Sequence, residues 1–215
     1  MIPAGGVLRI AAALALPVTI AGVVFVLLAA SQALAVGAAR RARRLAMGGA
    51  LAVLLYGGLL IGASLASSEV GLEPGQEKSF CGLDCDLKFS VTRLLTVPPR
   101  SPGSRAFYLT LRARSDARAV SIAPASLHAW LVSADGRQFD PASGRGVRIR
   151  EPIAPGALVD VDLRFEVPAG VPGLRLAVTE GGPLTRLVIG DENSYFHRKT
   201  VFLLPEPKPA RRLTP

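Results

Sequence analysis

The chain has 215 residues, half of them hydrophobic, with 25 Lys and Arg against 16 Asp and Glu and a formal net charge of +9. A basic balance of this size raises nucleic acid as a partner, yet the first 68 residues hold five arginines and no acid, and every Asp and Glu lies at Glu69 or later. The excess charge therefore belongs to an apolar third of the chain rather than to a basic domain, which argues against nucleic acid and toward a bilayer.

The first element is the run from Ile10 to Ala39, "IAAALALPVTIAGVVFVLLAASQALAVGAA", which contains no charged residue. About twenty apolar residues suffice to cross a hydrocarbon layer roughly 30 Å thick as a helix, so this run spans even when tilted. Pro17 is expected to kink it, with Thr19 available to satisfy nearby backbone groups. The run from Leu45 to Ser68, "LAMGGALAVLLYGGLLIGASLASS", meets the same criterion. Between them "ARRARRL" carries Arg40, Arg41, Arg43 and Arg44. Residues 1–68 thus predict a two-span hairpin with a basic loop at 40–44.

Lys and Arg beside a span are retained on the cytoplasmic side, whereas acids count for little. The loop carries four arginines and the N-terminal flank only Arg9, while the chain after Ser68 opens with Glu69 and Glu73. The loop is therefore expected in the cytoplasm, and the N-terminus and C-terminal domain outside it, in the inner membrane of a cell. "ARRARRL" reads as a topology signal that also meets anionic headgroups, and it lacks the aromatics a single-strand binder uses for stacking. A cleaved signal peptide is the competing reading, through "ALA" at Ala33 to Ala35 or "SLA" at Ser64 to Ala66, but the first run is too long and has one basic residue before it. Neither span contains an Asp, Glu, Lys or Arg that would mark an ion or proton pathway. Gly58 and Gly62 form a G-x-x-x-G match for close helix packing. Packing within the hairpin is the favoured use, with a helix-mediated homodimer or a chance match as alternatives.

From Glu69 onward the period changes to two. "LVDVDLRFEV" sets Val159, Val161, Leu163, Phe165 and Val167 against Asp160, Asp162, Arg164 and Glu166, the mark of a strand with one buried and one wet face. "AFYLTLRAR" repeats it. "LKFSVTR", "SLHAWLV", "LRLAV", "TRLVI" and "TVFLL" are further strand candidates, and Asp135-Gly136 is a hairpin turn signal. Seven or eight short strands with no helix predict an all-β, Ig-like antiparallel sandwich over 69–204. Residues 205–215, "PEPKPARRLTP", predict a disordered, Pro-rich basic tail.

The succession "FYLTLRARS", "LHAWLVSADGRQFDP", "IAPGALVDVDLRFEVPAG" and "LRLAV" resembles a bacterial family of extracytoplasmic Ig-like domains of unknown function, related to the mycobacterial secreted immunoprotective antigen. The resemblance runs from about Phe80 to Leu204. It rests on a D-G turn followed by an aromatic (Asp135, Gly136, Phe139), a P-G before a strand (Pro155, Gly156) and an F-x-V-P strand end (Phe165, Val167, Pro168). These residues punctuate structure and imply a fold rather than an activity.

Cys81 and Cys85, in "FCGLDCDLKF", are the two cysteines. An oxidising compartment favours a disulfide between them, which requires a turn, because residues i and i+4 of an extended strand lie about 13 Å apart. The alternative is a thiol-redox or copper site, although no neighbouring His or helix N-terminus is at hand to stabilise a thiolate. His128 and His197 form no metal-binding motif. Trp130 is expected as core or as a partly exposed cover, with ligand stacking the lesser reading. Asp160 and Asp162 share a face that could meet a cation, although a solvated strand face explains them without one. No nucleophile elbow, P-loop or dinucleotide fingerprint is present. The sequence thus predicts a membrane-anchored extracytoplasmic binding or scaffolding module without catalysis, metal or cofactor. Its expected partners are the lipid bilayer and an unidentified extracytoplasmic protein or envelope component, and the alternative is an envelope thiol or copper protein built on the cysteine pair.

Overall fold

The structure is a computed structural model describing residues 4–80, 86–124, 126–149 and 151–205. Two compact units divide the chain: residues 1–68 with 182–198, and residues 69–181 with 199–215.

The first unit is built on two antiparallel helices, α1 (Ala4–Ala35) and α2 (Ala39–Leu65). α1 runs through Pro17, and Thr19 Oγ1 donates to the Ala15 carbonyl at 2.7 Å. The reversal is tighter than a five-residue loop. Gly37 turns the chain at φ +73, and Ala38 N donates to the Ala33 carbonyl at 2.8 Å. Arg40 to Arg44 are the opening turns of α2 instead of a connection. Ala, Arg and Leu are strong helix formers, so nothing in "ARRARRL" resists helix. The helices approach closely at Gly49. Ala33, Ala42, Leu60 and Ser64 are buried, and a Cβ placed on Gly49 would stand 3.0 Å from Val26 Cγ1.

Residues 182–198, expected to contain the strand "TRLVI", belong to this unit and form a 3-10 helix at Pro183–Leu187. Pro183 at its first turn fixes φ and needs no hydrogen-bond acceptor for a missing N–H. Thr185 Oγ1 then donates back to the Gly182 carbonyl at 2.7 Å. Leu184, Leu187 and Val188 recur at helical rather than alternating spacing.

The second unit is a two-sheet sandwich. Its strands are β1 (Val70–Leu72), β2 (Glu77–Phe80), β3 (Leu87–Val97), β4 (Ser104–Ser115), β5 (His128–Val132), β6 (Gln138–Phe139), β7 (Leu158–Pro168), β8 (Arg175–Thr179) and β9 (Thr200–Leu203). One sheet runs β1-β9-β8-β5-β6 and the other β2-β3-β4-β7. Pairing is antiparallel except between β1 and β9, whose register Val70↔Thr200 to Leu72↔Phe202 is parallel. β1 and β2 are short and were not legible as strands. The alternation read in β4 and β7 holds: Phe107, Leu109, Leu111, Leu163, Phe165 and Val167 enter one core with Phe89, Leu131, Leu176 and Phe202 from the other strands. Full burial of each large apolar side chain contributes about 1.5 to 3 kcal/mol, so this contiguous cluster holds the sheets together. The Asp135-Gly136 turn joins β5 to β6, with Gly136 at φ +82.

Candidate membrane anchor and binding faces

The helical unit turns its apolar side chains outward. Leu54 is 72% exposed and Phe25 71%, and Val18, Leu27, Leu51 and Leu59 are likewise exposed. The four arginines of α2 are all exposed at one end of the hairpin. They crowd a helix N-terminus that has no acidic residue in its first turn and no side-chain cap. The helix dipole disfavours cations there.

Gly58 and Gly62 do not make the helix–helix contact expected of them. Both are exposed, and a Cβ on either would meet nothing within 4 Å. The close approach is at Gly49 instead, where an added Cβ would stand 3.0 Å from Val26 Cγ1.

Residues 182–198 are wired to this hairpin. The Tyr56 hydroxyl donates to the Leu187 carbonyl, and Arg198 N donates to Ser67 Oγ at 2.8 Å. Within the segment, Tyr195 N donates to the Arg186 carbonyl at 3.1 Å, and Asp191 N to that of Val188 at 3.2 Å. Ser194 N donates to Asp191 O at 3.0 Å, and Ser194 Oγ also donates to Val188 O. Asn193 N donates to the Asp191 carboxylate at 2.7 Å. Sequence reasoning missed this segment because it was read as another strand of the sandwich.

On the sandwich, the outer face of β4 and β7 is a ladder of neutralised charge. Arg112 holds Asp160 through Nε and Nη2, both at 2.7 Å, and this hydrogen bond with its attraction keeps the Asp160 carboxyl below its ordinary value. Thr110 Oγ1 donates to Asp162 at 2.6 Å. Arg114 bridges Glu77 at 2.9 Å and Asp116 at 3.2 Å, and Lys88 also pairs with Asp116. Asp160 and Asp162 are thus engaged by cross-strand neighbours, and a paired, solvated strand face explains them.

Trp130 is 7% exposed and lies outside the main core, packed with Ala177, Val201 and Val132. Arg145 covers its ring at 5.1 Å from the centroid and is fixed by Asp140 at 2.8 Å. Trp130 is therefore the core-like cover rather than an open stacking platform. His128 lies in the sandwich and His197 in the segment of the helical unit. Among the described residues no group of three or more His, Cys, Asp and Glu could hold a metal. Cys81 and Cys85 lie outside the described residues, so neither the bridge nor the thiol or copper site gains support.

One residue that the sequence reading passed over is Lys78. It is 3% exposed, and its Nζ donates to the Val178 carbonyl at 2.7 Å and the Thr200 carbonyl at 2.9 Å, 4.8 Å above the Phe80 ring. An inward lysine on β2 thereby clips its sheet to β8 and β9 of the other. An open cleft of about 340 Å³ is lined by Ala134, Gly173, Arg175 and Leu203, beside a much smaller cavity. The latter, of about 20 Å³ and lined by Leu94, Arg105, Phe107, Leu174 and Leu204, is of the size of a single water.

No known family profile matches the chain, and no curated protein does. Solved structures resemble it distantly. An uncharacterised β-sandwich protein of Clostridium difficile is 10% identical with a TM-score of 0.38, over 65% of this chain and 96% of its own. The secreted protein MPT63 of Mycobacterium tuberculosis is 16% identical with a TM-score of 0.40, over 65% and 100%. A conserved hypothetical protein of Bacillus anthracis is 11% identical with a TM-score of 0.35, over 48% and 89%.

Proposed function

We propose that this chain is a multi-pass membrane protein whose helical hairpin anchors an Ig-like sandwich on the extracytoplasmic side, where the sandwich binds or scaffolds a protein or envelope component. The observation that carries the anchor is the exposure of both helices. A soluble protein buries a helix that is apolar all round, whereas here the apolar residues of α1 and α2 face outward along lengths that suit a bilayer. The arginines at one end supply the direction, since they are the cations retained in the cytoplasm. The Ig-like assignment is supported by the placing of Asp135-Gly136, Pro155-Gly156 and Phe165-x-Val167-Pro168 at a turn, a turn and a strand end. The binding reading is supported by the face of paired charge on β4 and β7, which suits contact with a macromolecular surface.

Alkaline carbonate treatment of membranes from expressing cells tests the anchor. The full chain is expected to stay in the pellet, and its release into the supernatant would refute the anchor. A reporter active only outside the cytoplasm should work when fused after Leu204 and fail when inserted at Ala42, and the reverse pattern would refute the orientation.

A further inference from the structure

The excursion between β8 and β9, residues 182–198, does not behave as a sandwich loop. It leaves the sheet after Gly181, joins the helical unit, and returns at Lys199. Its bond to Tyr56 sets its depth. Tyr56 lies nine residues before the end of α2 at Leu65, roughly 14 Å along a helix at 1.5 Å per residue. The bond to Ser67 holds its other end level with the top of the hairpin. The segment therefore lies along the outer half of α2, which on the membrane reading is the outer leaflet.

Two further features suit that medium. First, a lipid-facing segment must satisfy its own backbone polar groups, and three successive carbonyls of this one are satisfied. The carbonyls of Arg186, Leu187 and Val188 accept from Tyr195 N, the Tyr56 hydroxyl and Asp191 N with Ser194 Oγ. Second, it presents apolar side chains outward while doing so. Leu184 is 66% exposed and Phe196 68%, and Tyr195 is exposed beside it. Phe196 sits at φ +65, a left-handed backbone that bulky residues seldom adopt. Arg186 and Arg198 flank these groups, and a long arginine stem lets its charge reach the headgroups. Leu, Phe and Tyr with flanking Arg are the residues that enter a bilayer boundary.

We propose that residues 182–198 are a re-entrant lipid-binding segment, seated in the outer leaflet beside α2, so that the sandwich is held to the membrane by a second attachment in addition to the hairpin. This rests on the hairpin's being membrane-embedded, and the test separates the two.

Leu184→Trp, Phe196→Trp and Leu54→Trp are made singly in the full chain, reconstituted in vesicles of phosphatidylcholine and phosphatidylglycerol. Emission is read with and without lipids brominated on the acyl chain, against the parent protein, whose Trp130 sets the background. All three positions are exposed, so a tryptophan adds no clash. The expected result is blue-shifted emission lost on brominated lipid in all three. Bromine midway down the chain should act more strongly on L184W, and bromine near the headgroup on F196W. Water-like, unquenched emission from L184W and F196W with L54W quenched would overturn the re-entrant segment and leave the anchor standing. The opposite depth order would overturn its seating along α2. Unquenched L54W would overturn the anchor and this inference with it.

Discussion

Lys78 and the arginines of α2 show what decides a cation's role. The arginines lie on a helix surface and their meaning is positional, so four of them beside two uncharged runs are readable from sequence alone. Lys78 acquires its meaning from Val178 and Thr200, a hundred residues and more away in the chain, and no local pattern announces that. Hydrogen bonds from a charged donor contribute about 1.5 to 3 kcal/mol. Lys78→Ala, which also empties buried volume, is expected to lower stability by about 2 to 4 kcal/mol, measured by chemical unfolding with Trp130 fluorescence as the probe. Lys78→Met should cost less, because it restores the packing. An alanine variant as stable as the parent would show that the clip does not hold the sheets. The cysteines call for a different expectation. Phe80 and Leu87 are already register partners, so a bridge between Cys81 and Cys85 would close a short segment that the ladder has closed. Replacing both by serine should lower stability by no more than about 2 kcal/mol and leave the sandwich folded, and collapse of the fold would show a larger role.

At the level of elements, long alternating strands were legible and short ones were not. β4 and β7 each repeat the in-and-out pattern several times, so chance alternation is soon excluded. β1 and β2 offer three and four residues, too few to establish a period, and β1 is placed only by its parallel partner β9. "TRLVI" has β-forming residues yet its first three close a 3-10 helix and the last two lie beyond it, because Gly182-Pro183 starts a helical turn and the segment's partners are on α2, outside the sheet. The G-x-x-x-G pair makes no contact within the hairpin for a related reason. It records that two small residues share a helix face, whereas the direction of that face depends on the partner helix. At Gly49 a Cβ would press on Val26 at 3.0 Å, and at Gly62 it would meet nothing. Gly49→Leu should therefore loosen the hairpin and lower the midpoint of helix loss followed by circular dichroism, while Gly62→Leu leaves it unchanged. Equal effects at both positions would contradict the observed packing.

Across the whole molecule, charge is managed differently in the two units, and this sets the response to pH. Asp116 is held below its ordinary value by Lys88, Asp135 by Ser133, Asp160 by Arg112 and Glu166 by Ser104. A carboxyl with a depressed folded pKa stabilises fully above its unfolded value and loses that contribution as pH falls through the folded one. These groups should therefore leave the sandwich's Tm flat from pH 7 to about pH 5, then lower it below about pH 4, the region of unperturbed carboxyl values. Because they are exposed, the fall should shrink in high salt. A Tm that rises on acidification through this range would contradict the ladder. The two-unit plan was partly legible: the switch from uncharged runs to alternation marks residue 68, but the return of 182–198 to the helices depends on tertiary contacts that no periodicity carries.

The most direct test of an anchored, outward-facing sandwich is labelling of intact cells with a membrane-impermeant maleimide. Arg137→Cys, on the exposed turn after Asp135-Gly136, and Arg41→Cys, at the arginine end of α2, are placed singly in a full chain with Cys81 and Cys85 replaced by serine. The result expected is labelling of R137C in intact cells and of R41C only after the membrane is permeabilised. Labelling of R41C in intact cells, with R137C protected, would contradict the outward-facing sandwich.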